Sequence, residues 1–293
     1  MAKNKGLFHS KKVGLRAVRS LGGDMFNIII LLVVGFVMII PLVFMVSNAF
    51  KPLDELMKFP PDILVRNPTI DNFLDLSLLM SESWVPFTRY IFNTVFITVV
   101  GITGHVIISS MAAYVLEKRK FPGRDGFFKL VVTTLMFTGA VTAIPSFIIM
   151  TKLGWVDTYW AVIIPAFGAT IGLYLMKQFM SSIPDSLLEA AKVDGSSEFR
   201  TFWTIVMPNV KPAWLTLIIF SIQSLWNTTG GIFIFSEEKK TLSYAMSQIL
   251  LGGIARAGAG AAVGVVMIIV PITVFVVSQS KVMETMSSSG MKE

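Results

Sequence analysis

Six stretches of this 293-residue chain are apolar for about 20 residues each, and that pattern limits its possible folds more than any other feature. They cover residues 26–47, 91–116, 130–150, 158–176, 213–230 and 261–278. A bilayer core about 30 Å thick takes roughly 20 apolar residues per helix. The six contain no Asp or Glu, and the whole chain is only 15% charged, against about 25% in soluble domains. Pro41, Pro145, Pro165 and Pro271 fall inside these stretches. Neighbouring helices can satisfy the backbone groups such prolines free, so kinks are expected there, not breaks in the spans. The fold expected is an all-α polytopic membrane protein with six transmembrane helices. The fifth is the least regular, because Gln223 and Asn227 interrupt it.

The basic residues set an orientation. With the N-terminus in the cytoplasm, 17 of the 25 Lys and Arg residues fall on the cytoplasmic side, while the acidic residues divide evenly. This bias places both termini inside. The net charge of +7 is therefore topological, and its placement argues against nucleic-acid binding. The expected organisation is a basic N-terminus (1–25), a six-helix domain (26–280) and a cytoplasmic tail (281–293). The first apolar run is too long for a signal-peptide core and lacks a small-residue cleavage site, so it reads as a retained helix. No cysteine is present, which excludes disulfides, thiolate nucleophiles and Cys-based metal sites.

Three connections are longer than turns. Residues 48–90 and 231–260 lie outside, the first rich in Pro with helix-like pieces, the second rich in Gly and small residues. Long loops of this kind tend to be functional. The inside loop, 177–212, is the most informative. Pro184 suits a first helical turn, with Asp185 and Glu189 favouring the N-terminal half. Leu187, Leu188, Ala191 and Val193 make an apolar side, and Gly195 sits where a helix can end in a left-handed residue. Ser196 or Ser197 can cap a second helix carrying Phe199, Phe202, Trp203 and Val206, ended by Pro208. General physics alone reads this as an amphipathic hairpin lying on lipid.

The residues within the loop point further. Glu189-Ala190-Ala191, Gly195 and Ile205-Val206-Met207-Pro208 resemble the EAA loop of ABC-importer permeases, E-A-A-x3-G-x9-I-x-L-P. Met207 in place of Leu, a volume-conserving change, is the one departure. The resemblance implies a type I ABC-importer permease fold with a cytoplasmic coupling helix seated on an ATPase. Glu189, Ala190, Ala191, Asp194, Gly195 and Pro208 would form the coupling segment. Two alanines allow close approach, the glutamate offers a charge-assisted contact, and the glycine permits a sharp turn.

Asn93-Thr94, Ala112-Ala113-Tyr114, the run from Gly154 to Ala161 (GWVDTYWA), Ser182-Ile183-Pro184, Trp226-Asn227 and Lys240-Thr241-Leu242 are similar to carbohydrate-uptake permeases, above all the second permease of maltose-type systems. The C-terminal residues 284–293 resemble oligosaccharide permeases of Gram-positive bacteria. The resemblance implies a bacterial cytoplasmic membrane, a homologous second permease, two ABC ATPase subunits that carry ATP and Mg, and an extracytoplasmic solute-binding protein. This chain would bind no cofactor or metal itself. In the maltose-type relative the loop corresponding to 231–260 reaches toward the binding protein; for Glu237, Glu238, Lys239 and Lys240 the plain alternative is a solvated turn.

Polar side chains at membrane depth are costly and often line a pathway. Gln223, Trp226 and Asn227 combine an aromatic face with amides, as sugar sites do, and are candidates for the translocation path together with Asn93 and His105. His105 has two readings, a hydrogen-bonded bundle residue or a solute or gating residue. The Gly260 and Gly264 spacing reads as helix packing. No G-x-x-x-x-G-K-[ST] phosphate loop and no H-E-x-x-H are present, so ATP chemistry would come from a partner and the chain reads as a non-enzyme. A stand-alone secondary transporter is opposed by the lack of intramembrane carboxylates, a membrane enzyme by the lack of an acid–base pair. The solute is a sugar or oligosaccharide by resemblance, with another small solute as the alternative.

Overall fold

The computed structural model describes residues 21–290; the basic residues before 21 and the last three lie outside the described residues. Every regular element among them is helical. The main helices are α1 (Leu21–Ala49), α2 (Asp71–Ser81), α3 (Phe87–Lys118), α4 (Arg124–Thr134), α5 (Gly139–Lys152) and α6 (Trp160–Phe167). They continue with α7 (Thr170–Met180), α8 (Asp185–Val193), α9 (Lys211–Trp226), α10 (Leu242–Leu250) and α11 (Ala257–Gly290). Between α8 and α9 a helical run covers Glu198–Asn209. The chain divides into two units, one ending at Phe44 and one beginning at Met45.

In the first unit, α1 continues through Pro41 and presents exposed apolar side chains such as Leu31 and Phe36. The second unit is organised on α3. This helix has no proline in its 32 residues, starts after Pro86 and ends in the basic residues Lys118 and Arg119. It packs against α6, α7, α9 and α10. An apolar cluster joins its first half to α9, α10 and α11 through Tyr90, Trp226, Leu242, Met246 and Val263. A second cluster joins its last turns to α7 and the Glu198–Asn209 run through Tyr114, Met176, Met180, Phe202 and Val206. The small residues early in α11 serve packing: Ala259 and Ala262 are buried in the first cluster, and a Cβ on Gly264 would lie 3.1 Å from Met45 Sδ.

Among the described residues, four helical stretches are long and apolar enough to cross a membrane: Gly22–Ala49, Phe87–Lys118, Trp160–Met180 and Ala257–Lys281. Two of the six expected spans belong to bent helix pairs. The third is broken between α4 and α5 by a 110° bend, where Thr138 turns extended and Gly139, a poor helix former, begins the next helix. The fifth ends at Trp226 and pairs with the Glu198–Asn209 run across a 79° bend at Val210. Counting each bent pair as one span gives six.

His105 ties three segments together halfway along α3. The ring is 3% exposed, with Nδ1 2.9 Å from Ser221 Oγ on α9 and Nε2 3.0 Å from the Ala169 carbonyl between α6 and α7. A carbonyl only accepts, so Nε2 carries the proton, and in the neutral ring Nδ1 accepts from the Ser221 hydroxyl. The close approach of α7 requires Gly172: a Cβ there would lie 2.3 Å from His105 Nε2 and 2.6 Å from Ser109 Oγ. Gly172→Ala is therefore expected to destabilise the protein by about 1–3 kcal/mol through overpacking. Gly126→Ala, with nothing within 4 Å of the new Cβ, is expected not to. Thermal unfolding of the two variants in detergent checks both outcomes.

Candidate functional site

Residues 177–212 fold as a hairpin. Pro184 and Asp194 flank α8 as its caps, and Gly195 then takes φ +76°. The Gly195 N–H donates to the Lys192 carbonyl at 3.1 Å and the Ser196 N–H to the Ala191 carbonyl at 2.9 Å. These two bonds form a Schellman closure, which needs a left-handed residue at this place. Ser197 caps the next helix, its hydroxyl accepting from the Arg200 N–H at 3.3 Å.

Phe202–Val206 forms a π-helical turn in which the Met207 N–H reaches back to Phe202 O. Pro208 explains the widening. A proline ring clashes with the carbonyl four residues back in an α-helix, and a wider turn relieves that contact. The run continues through Pro208 to Asn209, so the second helix stops one residue later than Pro208 alone predicts.

Only part of the expected apolar side of α8 faces inward. Ala191 is buried and Leu188 half-buried, but Leu187 is exposed and Val193 is 88% exposed. Glu189, Ala190, Asp194 and Gly195 are exposed or nearly so. Among the described residues, nothing pairs with the Glu189 carboxylate. The tip therefore offers a free acid, small side chains and an apolar residue on one surface.

The base of the hairpin, in contrast, is held by the end of α3. Lys118 Nζ donates to the Ile183 carbonyl at 2.5 Å and to Asp185 Oδ1 at 2.8 Å. That contact holds the Asp185 carboxyl below its usual range. The Tyr114 hydroxyl donates to Glu198 Oε2 at 3.1 Å, and Arg119 pairs with the same oxygen. The Tyr114 ring packs on Phe202 with centroids 5.5 Å apart.

A second polar assembly forms at the other end of α3. Asn93, fully buried, donates to the Glu238 and Lys240 carbonyls at 2.8 Å each and accepts from the Tyr159 hydroxyl at 2.7 Å. Thr94 Oγ1 accepts from the Leu242 N–H at 2.7 Å, and Tyr90 donates to Glu237 at 2.6 Å. Asp157, at φ +59°, grips the same loop. Its carboxylate accepts from the Phe235 and Ser236 N–H groups at 2.9 and 2.8 Å, from the Ser236 hydroxyl, and from Lys239 Nζ at 3.0 Å. Residues 237–240 are thus not a plain solvated turn: Lys240 is buried, with its ammonium on the Ile234 carbonyl.

The five pathway candidates fall into separate settings. Asn93 belongs to this latch and His105 to the helix junction. Trp226 is buried, its indole N–H donating to the Met267 carbonyl at 3.0 Å. Gln223 and Asn227 are exposed at the end of α9, linked by Asn227 Nδ2 to the Gln223 carbonyl at 2.8 Å. Sequence reasoning gave no role to Asp157, Tyr159, Lys118, Arg119 or Glu198. The partners named above are 65 to 84 residues away, beyond the reach of any local spacing rule. Among the described residues, no group of three or more His, Asp or Glu side chains converges as metal ligands do.

Burial opposes ionisation of Asp157, but the hydrogen bonds from Ser236, Lys239 and Phe235 outweigh it and hold the carboxyl well below its ordinary 3.8. A depressed carboxyl adds stability that is complete above the ordinary value and lost as pH falls through the depressed one. Protection of the Phe235 and Ser236 amides against hydrogen exchange is expected to weaken as pH drops below about 4. In Asp157→Asn that dependence should disappear, with protection already low at pH 6.

The profile of the family described as "Binding-protein-dependent transport system inner membrane component" matches residues 105–285. The polygalacturonan/rhamnogalacturonan transport system permease protein YtcP of Bacillus subtilis (strain 168) is 29% identical over 233 residues, 75% of this chain and 76% of the relative. The arabinooligosaccharides transport system permease protein AraQ of Halalkalibacterium halodurans is 31% identical over 225 residues, 74% of this chain and 78% of the relative. Among solved structures, a bacterial ABC transporter involved in the import of the acidic polysaccharide alginate contains a chain of the same fold. Its TM-score is 0.74 at 23% identity, covering 89% of this chain and 98% of that one.

Proposed function

The chain belongs to the binding-protein-dependent transport system inner membrane components, and on that footing we propose that it is one permease subunit of an ATP-driven importer of a sugar or oligosaccharide. An extracytoplasmic binding protein delivers the solute, a homologous permease completes the pathway, and two ATPase subunits bind Mg and hydrolyse ATP on the cytoplasmic side. The chain crosses the bacterial cytoplasmic membrane six times with both termini inside. The distribution of Lys and Arg supports that orientation, and counting each bent helix pair as one span supports the number. The similar proteins above are named for transport of polygalacturonan or rhamnogalacturonan, of arabinooligosaccharides and of alginate, which supports a saccharide solute.

The observation that carries this reading is the hairpin: an exposed tip of Glu189, Ala190, Asp194 and Gly195 on a base fixed to α3. In this reading Glu189, Ala190, Ala191, Asp194, Gly195 and Pro208 form the coupling segment. The tip sits in a groove on the ATPase, where the free Glu189 carboxylate finds a donor. Closure of the ATPases on ATP moves the hairpin, and the helices fixed to it follow. Access to the solute switches from one side to the other as a population shift driven by different contacts in the two states. Gln223 and Asn227 are free to meet the solute, while Asn93, His105 and Trp226 hold the helices that shape its path.

Gly195 allows a clean test. A Cβ there meets nothing within 4 Å, so Gly195→Ala costs only the left-handed backbone preference, about 1–2 kcal/mol. Membrane insertion and helix content are expected to persist in Gly195→Ala and Glu189→Ala. Solute uptake by the assembled transporter should fall by roughly tenfold, equivalent to about 1.4 kcal/mol of lost coupling. Uptake unchanged in both variants contradicts the assignment.

A further inference from the structure

We propose that α3 is a strut through which the cytoplasmic hairpin and the outer loop at 237–242 move as one body, with Lys118 and Thr94 as its positioning residues at the two ends. The proposal rests on the importer reading and adds to it a route from the ATPase contact to the face where the binding protein docks. The sides are those of that reading.

Three observations carry it. First, α3 runs without interruption from Phe87 to Lys118, about 48 Å at the helical rise, whereas two other spans are bent pairs. Second, its inner end cannot leave the hairpin without cost. The Lys118 side chain is only 6% exposed, and its ammonium donates to the Ile183 carbonyl and to Asp185, both at the hairpin's entrance. A buried ammonium stripped of its partners is strongly disfavoured, so the helix and the hairpin stay together. Glu198, on the other arm of the hairpin, is tied to Tyr114 and Arg119.

Third, the outer end is joined to the loop by the same logic. Thr94 is fully buried and its hydroxyl accepts from the N–H of Leu242, the first residue of α10 and itself buried. Asn93 holds the Glu238 and Lys240 carbonyls just before it, and Tyr90 the Glu237 carboxylate. Separating α3 from the loop would leave several buried donors and acceptors unpaired at once. Displacement of the hairpin at one end is thus carried to the loop at the other, and by linkage contact at the loop is felt at the hairpin.

A double-mutant cycle in the complete transporter, with its partner permease, ATPases and binding protein, tests this. Thr94→Val keeps the shape of the side chain and removes the acceptor; Lys118→Met keeps the stem and removes the ammonium. Each is expected to lower stimulation of ATP hydrolysis by solute-loaded binding protein by about fivefold or more, with hydrolysis in its absence retained. The two positions are about 36 Å apart along the helix. Independent damage at that distance should multiply. On a shared strut the double variant is expected to lose no more than the worse single variant. A multiplicative loss, or singles with normal stimulation, overturns the proposal. If Lys118→Met or Thr94→Val does not assemble, Glu198→Gln or Tyr90→Phe takes its place in the cycle. Failure of the importer reading itself shows separately, as no ATP-dependent uptake of solute by the unmodified transporter.

Discussion

Asn93, Thr94 and His105 lie on one helix where solvent does not reach, and each hydrogen-bonds to a different neighbouring element. Buried polar groups without partners cost about 1–3 kcal/mol each, more when charged. Few arrangements of the surrounding helices satisfy all of them. Asn93 fixes the loop before α10, His105 fixes α9 and the break between α6 and α7, and Lys118 fixes the start of α8. Apolar packing alone would let these helices slide, because lipid tails are as apolar as a leucine side chain. The polar contacts define the register.

The two ends of α3 show how one kind of interaction serves different needs. At the hairpin the base is tied down by charge and the tip left free, so the segment presents the Glu189 carboxylate on a stiff support. At the loop, Asp157 and Asn93 fasten residues 235–240 onto the helices, and a stretch that follows two glycines is held in one shape. Left-handed residues appear at both places, Gly195 in the hairpin and Asp157 beside the loop. Gly195 adopts that conformation at little cost, whereas Asp157 is held there by five hydrogen bonds to its carbonyl and carboxylate from residues 235–239.

Much of this was legible in the sequence because it depends on local patterns. The apolar runs mark helices apolar enough to cross a membrane, Pro184 and Gly195 bound α8, and Ser197 caps the run that follows. The bends were not legible: residues 130–150 are apolar almost throughout, and nothing in their composition distinguishes one straight helix from two at 110°. The resemblance brought out the run containing Asp157 and Tyr159, but their partners in the loop near residue 240 and on α3 emerge only when the chain is folded. His105 shows the same limit. The sequence left open a packing role and a gating role, and the partners on Ser221 and Ala169 account for both ring nitrogens.

The central claim, that the exposed hairpin tip meets an ATPase, is most directly tested by a single introduced thiol. The chain has no cysteine of its own, so Val193→Cys at the tip and Trp84→Cys, beyond the far end of α3 and 98% exposed, each introduce a unique one. A short thiol-to-amine crosslinker is applied to membranes in which the chain is co-expressed with its ATPase and partner permease. A covalent product between this chain and the ATPase is expected in Val193→Cys and none in Trp84→Cys. Absence of that product in Val193→Cys, or equal yield in the two variants, would contradict the claim.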